Sequence, residues 1–118
     1  MKIAIVGITE LVGSEILKVL EERNFPVDEI IPVALEWSPN KTVCFKEKYY
    51  NIYFIEDILI KRPELIFFSS KKESLIHWIS LFKQNGSKVF ISKKNINPEE
   101  AAINIVKIAE LMMDNKFI

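Results

Sequence analysis

Hydrophobic positions along the chain fall into short unbroken runs that alternate with stretches of helical spacing. Ile3 to Val6 is an apolar run closed by Gly7, as in a strand covered on both faces within a parallel sheet. Leu11, Val12, Ile16, Leu17, Val19 and Leu20 then recur at helical spacing, with Glu15, Lys18, Glu21, Glu22 and Arg23 opposite them, until Asn24-Phe25-Pro26 stops the helix. Ile30 to Leu35 reads as a second buried strand, followed by a turn at Ser38-Pro39-Asn40-Lys41. Thr42 to Phe45 and Tyr49 to Ile55 are rich in β-branched and aromatic residues and predict a hairpin through Lys46-Glu47-Lys48. Leu65 to Phe68 is another buried strand. The helix predicted from Glu73 to Gln84 turns Leu75, Ile76, Ile79 and Phe82 inward and ends at Asn85-Gly86. Val89 to Ile91 is the next strand.

The last helix has the clearest start. Asn97 is its cap, Pro98 its first residue, and Glu99 and Glu100 face the positive helix end. Asn104, Lys107, Glu110 and Asp114 leave only a narrow polar stripe beside Ala101, Ala102, Ile105, Val106, Ile108, Ala109, Met112 and Met113, so this helix calls for contact on more than one side. The order of elements predicts one α/β domain over residues 1–118, in three layers, with a mostly parallel sheet and helices on both faces.

Composition sets limits on function. Hydrophobic residues at 49% against 27% charged suit an ordinary globular chain, and 118 residues suffice for an independent core. Sixteen basic and sixteen acidic side chains cancel, so no overall field favours nucleic acid or an anionic membrane. The first apolar run is too short for a signal peptide, and no stretch approaches the roughly 20 residues of a membrane span; the expectation is a soluble, unprocessed, cytoplasmic protein. Cys44, the single cysteine, alternates like a strand residue and reads as a buried thiol rather than a reactive one. No cluster of metal-ligating residues stands out, and His77, with no nucleophile beside it, is assigned no role.

Between the first strand and the first helix lies Gly7-Ile8-Thr9-Glu10-Leu11-Val12-Gly13, where a dinucleotide-binding turn belongs. The stretch from Met1 to Asp28 resembles the amino-terminal segment of aspartate-semialdehyde dehydrogenases. Ala101 to Leu111 resembles that family's carboxy-terminal helix, which packs back onto the cofactor domain; residues 97–114 take that part here. The resemblance implies a Rossmann-like fold with the two family ends joined and the catalytic domain between them missing. That domain holds the family's nucleophilic cysteine, its histidine partner and the substrate-binding arginine, and none has a counterpart here: Cys44 is in the wrong place and His77 is on a cofactor-domain helix. No catalytic residue is therefore assigned.

The positions that the resemblance gives to the cofactor are Gly7, Thr9, Glu10, Leu11, Val12, Gly13, Ser38, Ser69 and Asn104. Several depart from the family. Its second turn glycine, which lets the backbone approach the pyrophosphate of NADP, is Glu10. Two like unit charges 4 Å apart repel by about 1 kcal/mol in water and roughly 4 kcal/mol at an effective dielectric of 20, so a carboxylate there opposes the ligand before sterics count. The family's arginine for the 2′-phosphate falls at Trp37, its Gly-Gly loop becomes Ser69-Ser70-Lys71-Lys72, and its Asn-Ser-Ser stretch becomes Ser92-Lys93-Lys94. Asn104 matches the nicotinamide-side asparagine, with Lys107 where a glutamine is usual. The expectation is no cofactor, or NADP should the turn still function.

Alternatives stay open at three places. Glu10 is either a favourable acid in the first turn of a helix or a group that salt-bridges a crevice lysine and closes the site. Lys71, Lys72, Lys93 and Lys94 are either solvated charges or a patch for an anion or acidic partner. Trp37, Trp78 and the last helix serve either the core or a contact surface. The resulting expectation is a non-catalytic binding or regulatory module that meets a protein partner or its own copy. The alternative is a nucleotide-binding half-enzyme acting with a separate catalytic subunit.

Overall fold

The computed structural model describes residues 1–36, 42–93 and 96–114. Trp37, Ser38, the turn around Pro39 and Lys94 lie outside them. Four parallel strands, β1 (Lys2–Val6), β2 (Glu29–Val33), β5 (Leu65–Phe68) and β6 (Lys88–Ile91), form a sheet in the order β2-β1-β5-β6. β1 is inside the sheet, with Ile3 opposite Ile30 on one side and Leu65 on the other. Ile3, Ala4, Ile5 and Val6 are fully buried, as an unbroken apolar run requires.

Alternation along the strands divides the core between two faces. Ile3, Ile5, Leu65, Phe67 and Phe90 meet Ile16, Val19 and Leu20 of α1 (Leu11–Glu22) and Ala102, Ile105, Val106 and Ala109 of α4 (Pro98–Asp114). Ala4, Val6, Ile66 and Phe68 face Ile79 and Phe82 of α3 (Ile76–Gln84) and Ile58 of α2 (Asp57–Lys61). Helices thus cover both faces of a parallel sheet, the predicted α/β, Rossmann-like architecture. Arg23, just past α1, clasps Glu110 of α4, its Nε 2.8 Å and its second guanidinium nitrogen 2.7 Å from one carboxylate oxygen. Asn97 caps α4 as predicted, its Oδ1 accepting the Glu99 N–H at 2.8 Å.

The hairpin β3 (Thr42–Phe45) and β4 (Lys48–Asn51) forms a separate two-stranded sheet. Phe45 is buried and Val43 packs beside it in the α1 and α4 core. Strand alternation therefore turns Cys44 outward, opposite Tyr49, and the expectation of a buried thiol is corrected: Cys44 is exposed. β4 also ends earlier than predicted. Tyr53 leaves it to bridge Val33 in parallel, and the Asp57 carboxylate accepts the Phe54 N–H to open the five-residue α2, too short to show a period.

Two further apolar positions differ from expectation. The helix predicted from Glu73 begins as a 3-10 turn, Glu73–Leu75, before α3, and Ile76 is half exposed. Leu11, the first residue of α1, is 75% exposed, because side chains of the opening turn have no preceding turn to pack on.

Candidate functional site

The turn between β1 and α1 requires glycine at two positions. Gly7 adopts φ +92°, and its N–H and that of Ile8 both donate to the Val33 carbonyl, at 2.8 and 3.0 Å. Gly13 lies against this turn so closely that a Cβ would overlap the Gly7 carbonyl oxygen, so the helix packs directly on the turn backbone.

Glu10 occupies the position between them. It is the N-cap of α1, with φ −84° and ψ 160°, and α1 has no acid in its first turn. Its N–H donates to the Gly7 carbonyl at 2.9 Å, but its side chain caps no helix N–H. Instead Oε2 accepts a hydrogen bond from Ser69 Oγ at 2.9 Å, and Oε1 lies 3.6 Å from Lys72 Nζ. Of the two readings of Glu10, the geometry is that of the salt bridge to a crevice lysine.

Ser69 is held from below by its N–H bond to the Val6 carbonyl at 3.0 Å and is buried at the end of β5. A Cβ placed on Gly7 would overlap Ser69 Oγ and come within 2.9 Å of Glu10 Oε2. The space above Gly7 is thus filled by protein atoms, one of them a carboxylate oxygen. A pyrophosphate needs that space clear for backbone N–H groups to reach it. The residues present do not fit the group in this arrangement.

Thr9 and Leu11 are exposed at the rim of the turn, and Val12 is half-buried behind them. Beyond Ser69, the Ser70 hydroxyl is buried and has no hydrogen-bond partner among the described residues; the sequence marked its loop but not its burial.

Of the patch lysines, the described ones, Lys71, Lys72 and Lys93, are not gathered at one feature. Lys72 is drawn to Glu10, and Lys71 is exposed on the same loop. Lys93 lines a different feature, a cleft of about 290 Å³ between the end of β6 and α4. Ser92, Asn104 and Lys107 line it too, over an apolar floor that includes Ile91 and Ile105. Asn104 and Ser92 are therefore brought together, whereas Ser38 and Lys94 lie outside the described residues. His77 is exposed, its ring inclined at 62° to that of Trp78, and Trp78 stacks on the buried Phe82 at 5.9 Å, so this tryptophan packs on the core. Among the described residues no group of three acidic, histidine or cysteine side chains is placed to hold a metal ion.

Residues 2–106 match the family described as "Semialdehyde dehydrogenase, NAD binding domain". The chain is 40% identical over 86 residues to the aspartate-semialdehyde dehydrogenase of Aquifex aeolicus, covering 72% of this chain and 25% of that protein. It is 44% identical over 71 residues to that of Campylobacter jejuni, covering 58% of this chain and 21% of the relative. Among solved structures, aspartate-semialdehyde dehydrogenase II of Vibrio cholerae superposes with a TM-score of 0.71 at 32% identity, over 79% of this chain and 31% of that one. The chain spans about a quarter of the length of the curated relatives it matches.

Proposed function

Because this chain belongs to the semialdehyde dehydrogenase family through its NAD-binding domain, we propose that it works as a non-catalytic binding or regulatory module whose NADP binding is impaired. The observation that carries this reading is the Glu10 carboxylate, tied across the turn by Ser69 and Lys72. To admit a pyrophosphate, the carboxylate must leave both partners and still lie next to a charge of its own sign. Repulsion of about 1 to 4 kcal/mol for one such pair corresponds to a loss of roughly 5- to 1000-fold in affinity, before any steric cost.

The family's reaction needs a nucleophilic cysteine from the catalytic domain, whereas this chain's cysteine stands on the outer face of the β3–β4 hairpin. In this reading the protein works in the cytoplasm, consistent with one unpaired thiol and with no described helix long and apolar enough to cross a membrane.

Calorimetric titration of NADP and NADPH into the chain and into Glu10→Gly tests the proposal. No heat with the parent chain at millimolar ligand, and binding gained by the variant, is the expected result. Micromolar binding by the parent chain overturns it in favour of a nucleotide-binding half-enzyme, a reading supported by the intact Gly7 and Gly13 geometry.

A further inference from the structure

α4 buries one face against α1 and the sheet, and its opposite face is not ordinary helix surface. Leu111 is 64% exposed and Ile108 47%, with Ile96 36% exposed just before the cap. Glu100 and Lys107 are exposed, and among the described residues neither has an ion-pair partner. Glu100, Asn104, Lys107 and Leu111 follow one another at steps of three and four residues and so form one stripe along the helix.

The order of this stripe is self-complementary. When two copies of α4 lie antiparallel across a two-fold axis at the midpoint of Ile103 and Asn104, residues equally far from that midpoint face each other. Glu100 of each copy then meets Lys107 of the other, Leu111 comes toward the segment that precedes the other copy's cap, and the two Asn104 amides approach across the axis. A parallel pairing in register sets Glu100 on Glu100 and Lys107 on Lys107, so charge selects the antiparallel form. Such an isologous arrangement is how closed dimers are built.

We propose that the exposed face of α4 is a dimer interface whose occupant is a second copy of this chain, paired antiparallel through reciprocal Glu100–Lys107 bridges. This deepens the reading of the chain as an interaction module and rests on it for its biological meaning, but the interface stands on the surface of α4 alone. A 17-residue helix is about 26 Å long, so one face supplies less than the roughly 800 Å² per partner of a standard interface. The interface therefore belongs with the weak, transient ones, since area by itself does not fix affinity, and the concentrations to cover centre on about 10 to 100 µM.

Sedimentation equilibrium of the whole chain, from about ten times below to ten times above that range, tests it. The expected result is a monomer–dimer equilibrium. Lys107→Glu alone and Glu100→Lys alone each weaken association about tenfold, because opposed charges become like ones at both bridges. Mixing these two variants restores association as a heterodimer, since every bridge then pairs Glu with Lys, and the double variant restores it within one species. Circular dichroism of each variant confirms that helix content is unchanged, and a misfolded variant could not be rescued by its counterpart. A chain that stays monomeric throughout, or a dimer indifferent to both single changes, overturns the proposal. A monomer that ignores NADPH removes the interface and leaves the non-catalytic reading standing; a dimer that binds NADPH in the micromolar range does the reverse.

Discussion

Glu10 Oε2 accepts the hydroxyl hydrogen bond of Ser69 at 2.9 Å, joining the turn after β1 to the end of β5 across 59 positions of sequence. Lys72 completes the arrangement at 3.6 Å, with its side chain about half exposed. These two partners differ in weight. Ser69→Ala removes a partly buried hydrogen bond to a charged group and is expected to cost about 1 to 2 kcal/mol. Lys72→Ala loses a long, solvent-screened pair and is expected to cost no more than about 0.5 kcal/mol. Urea denaturation of the two variants checks the order; equal losses would mean that the ion pair holds Glu10 as strongly as the hydroxyl does.

The glycines give a sharper contrast. Gly13→Ala drives a methyl group into the Gly7 carbonyl oxygen, a backbone atom that moves only with the turn. A loss of about 1 to 3 kcal/mol is expected, as for other overpacked sites. Gly86→Ala meets no atom within 4 Å, and its φ of +93° is the only obstacle; its cost is confined to the left-handed backbone, about 1 to 2 kcal/mol. The two variants separate by mechanism in second-site tests. Shortening Val12 or another neighbour cannot relieve Gly13→Ala, since the clash is with backbone, whereas an asparagine at position 86 should recover part of the Gly86→Ala loss.

Most of the fold was legible because its strands are short, unbroken apolar runs and its longest helix has an unambiguous cap. All four strands of the parallel sheet lie where Ile3, Ile30, Leu65 and Val89 mark them. What escaped was set by tertiary contact or by parity. The five residues of α2 are fewer than two helical turns and carry no period. Ile76 is apolar yet half exposed, because the buried face of α3 runs through Ile79 and Phe82 and leaves Ile76 at its margin. In the site, the identity of Glu10 was readable but its partner was not: Ser69 reaches it only because β1 and β5 pair in register, Val6 opposite Phe68. The direction of Cys44 did have a signal, since Val43 and Phe45 are the more apolar pair in its strand and claim the inward parity.

That outward direction makes the thiol testable. Cys44 is exposed in the folded chain, so the native protein should react with a disulfide reagent such as DTNB to one equivalent without denaturant, at a rate close to that of the unfolded chain. Protection by a factor of about 100 or more, an opening free energy near 3 kcal/mol, would return Cys44 to the core and reverse the face that the hairpin presents.

The hairpin turn itself is made of residues poorly suited to it. Lys46 and Glu47 have φ of +50° and +65°, the left-handed pair that a two-residue turn between twisted strands demands and that Asn-Gly ordinarily supplies. Lys46 has compensating contacts: its N–H donates to Glu21 Oε1 at 3.2 Å, and its Nζ donates to Asn24 Oδ1 at 3.2 Å. Glu47 is exposed and takes part in none of these bonds. Replacing it relieves a strained backbone without removing a contact, although glycine also gains entropy in the unfolded chain. The first effect, about 1 to 2 kcal/mol, exceeds the second, roughly 0.5 to 1 kcal/mol. Glu47→Gly is therefore expected to stabilise the protein by about 0.5 to 1 kcal/mol, whereas Lys46→Gly, which forfeits the lysine contact to Asn24, should gain less. A rise in the urea midpoint for the first variant that exceeds the change for the second supports this order; a fall for Glu47→Gly would show that the turn carries no strain to relieve.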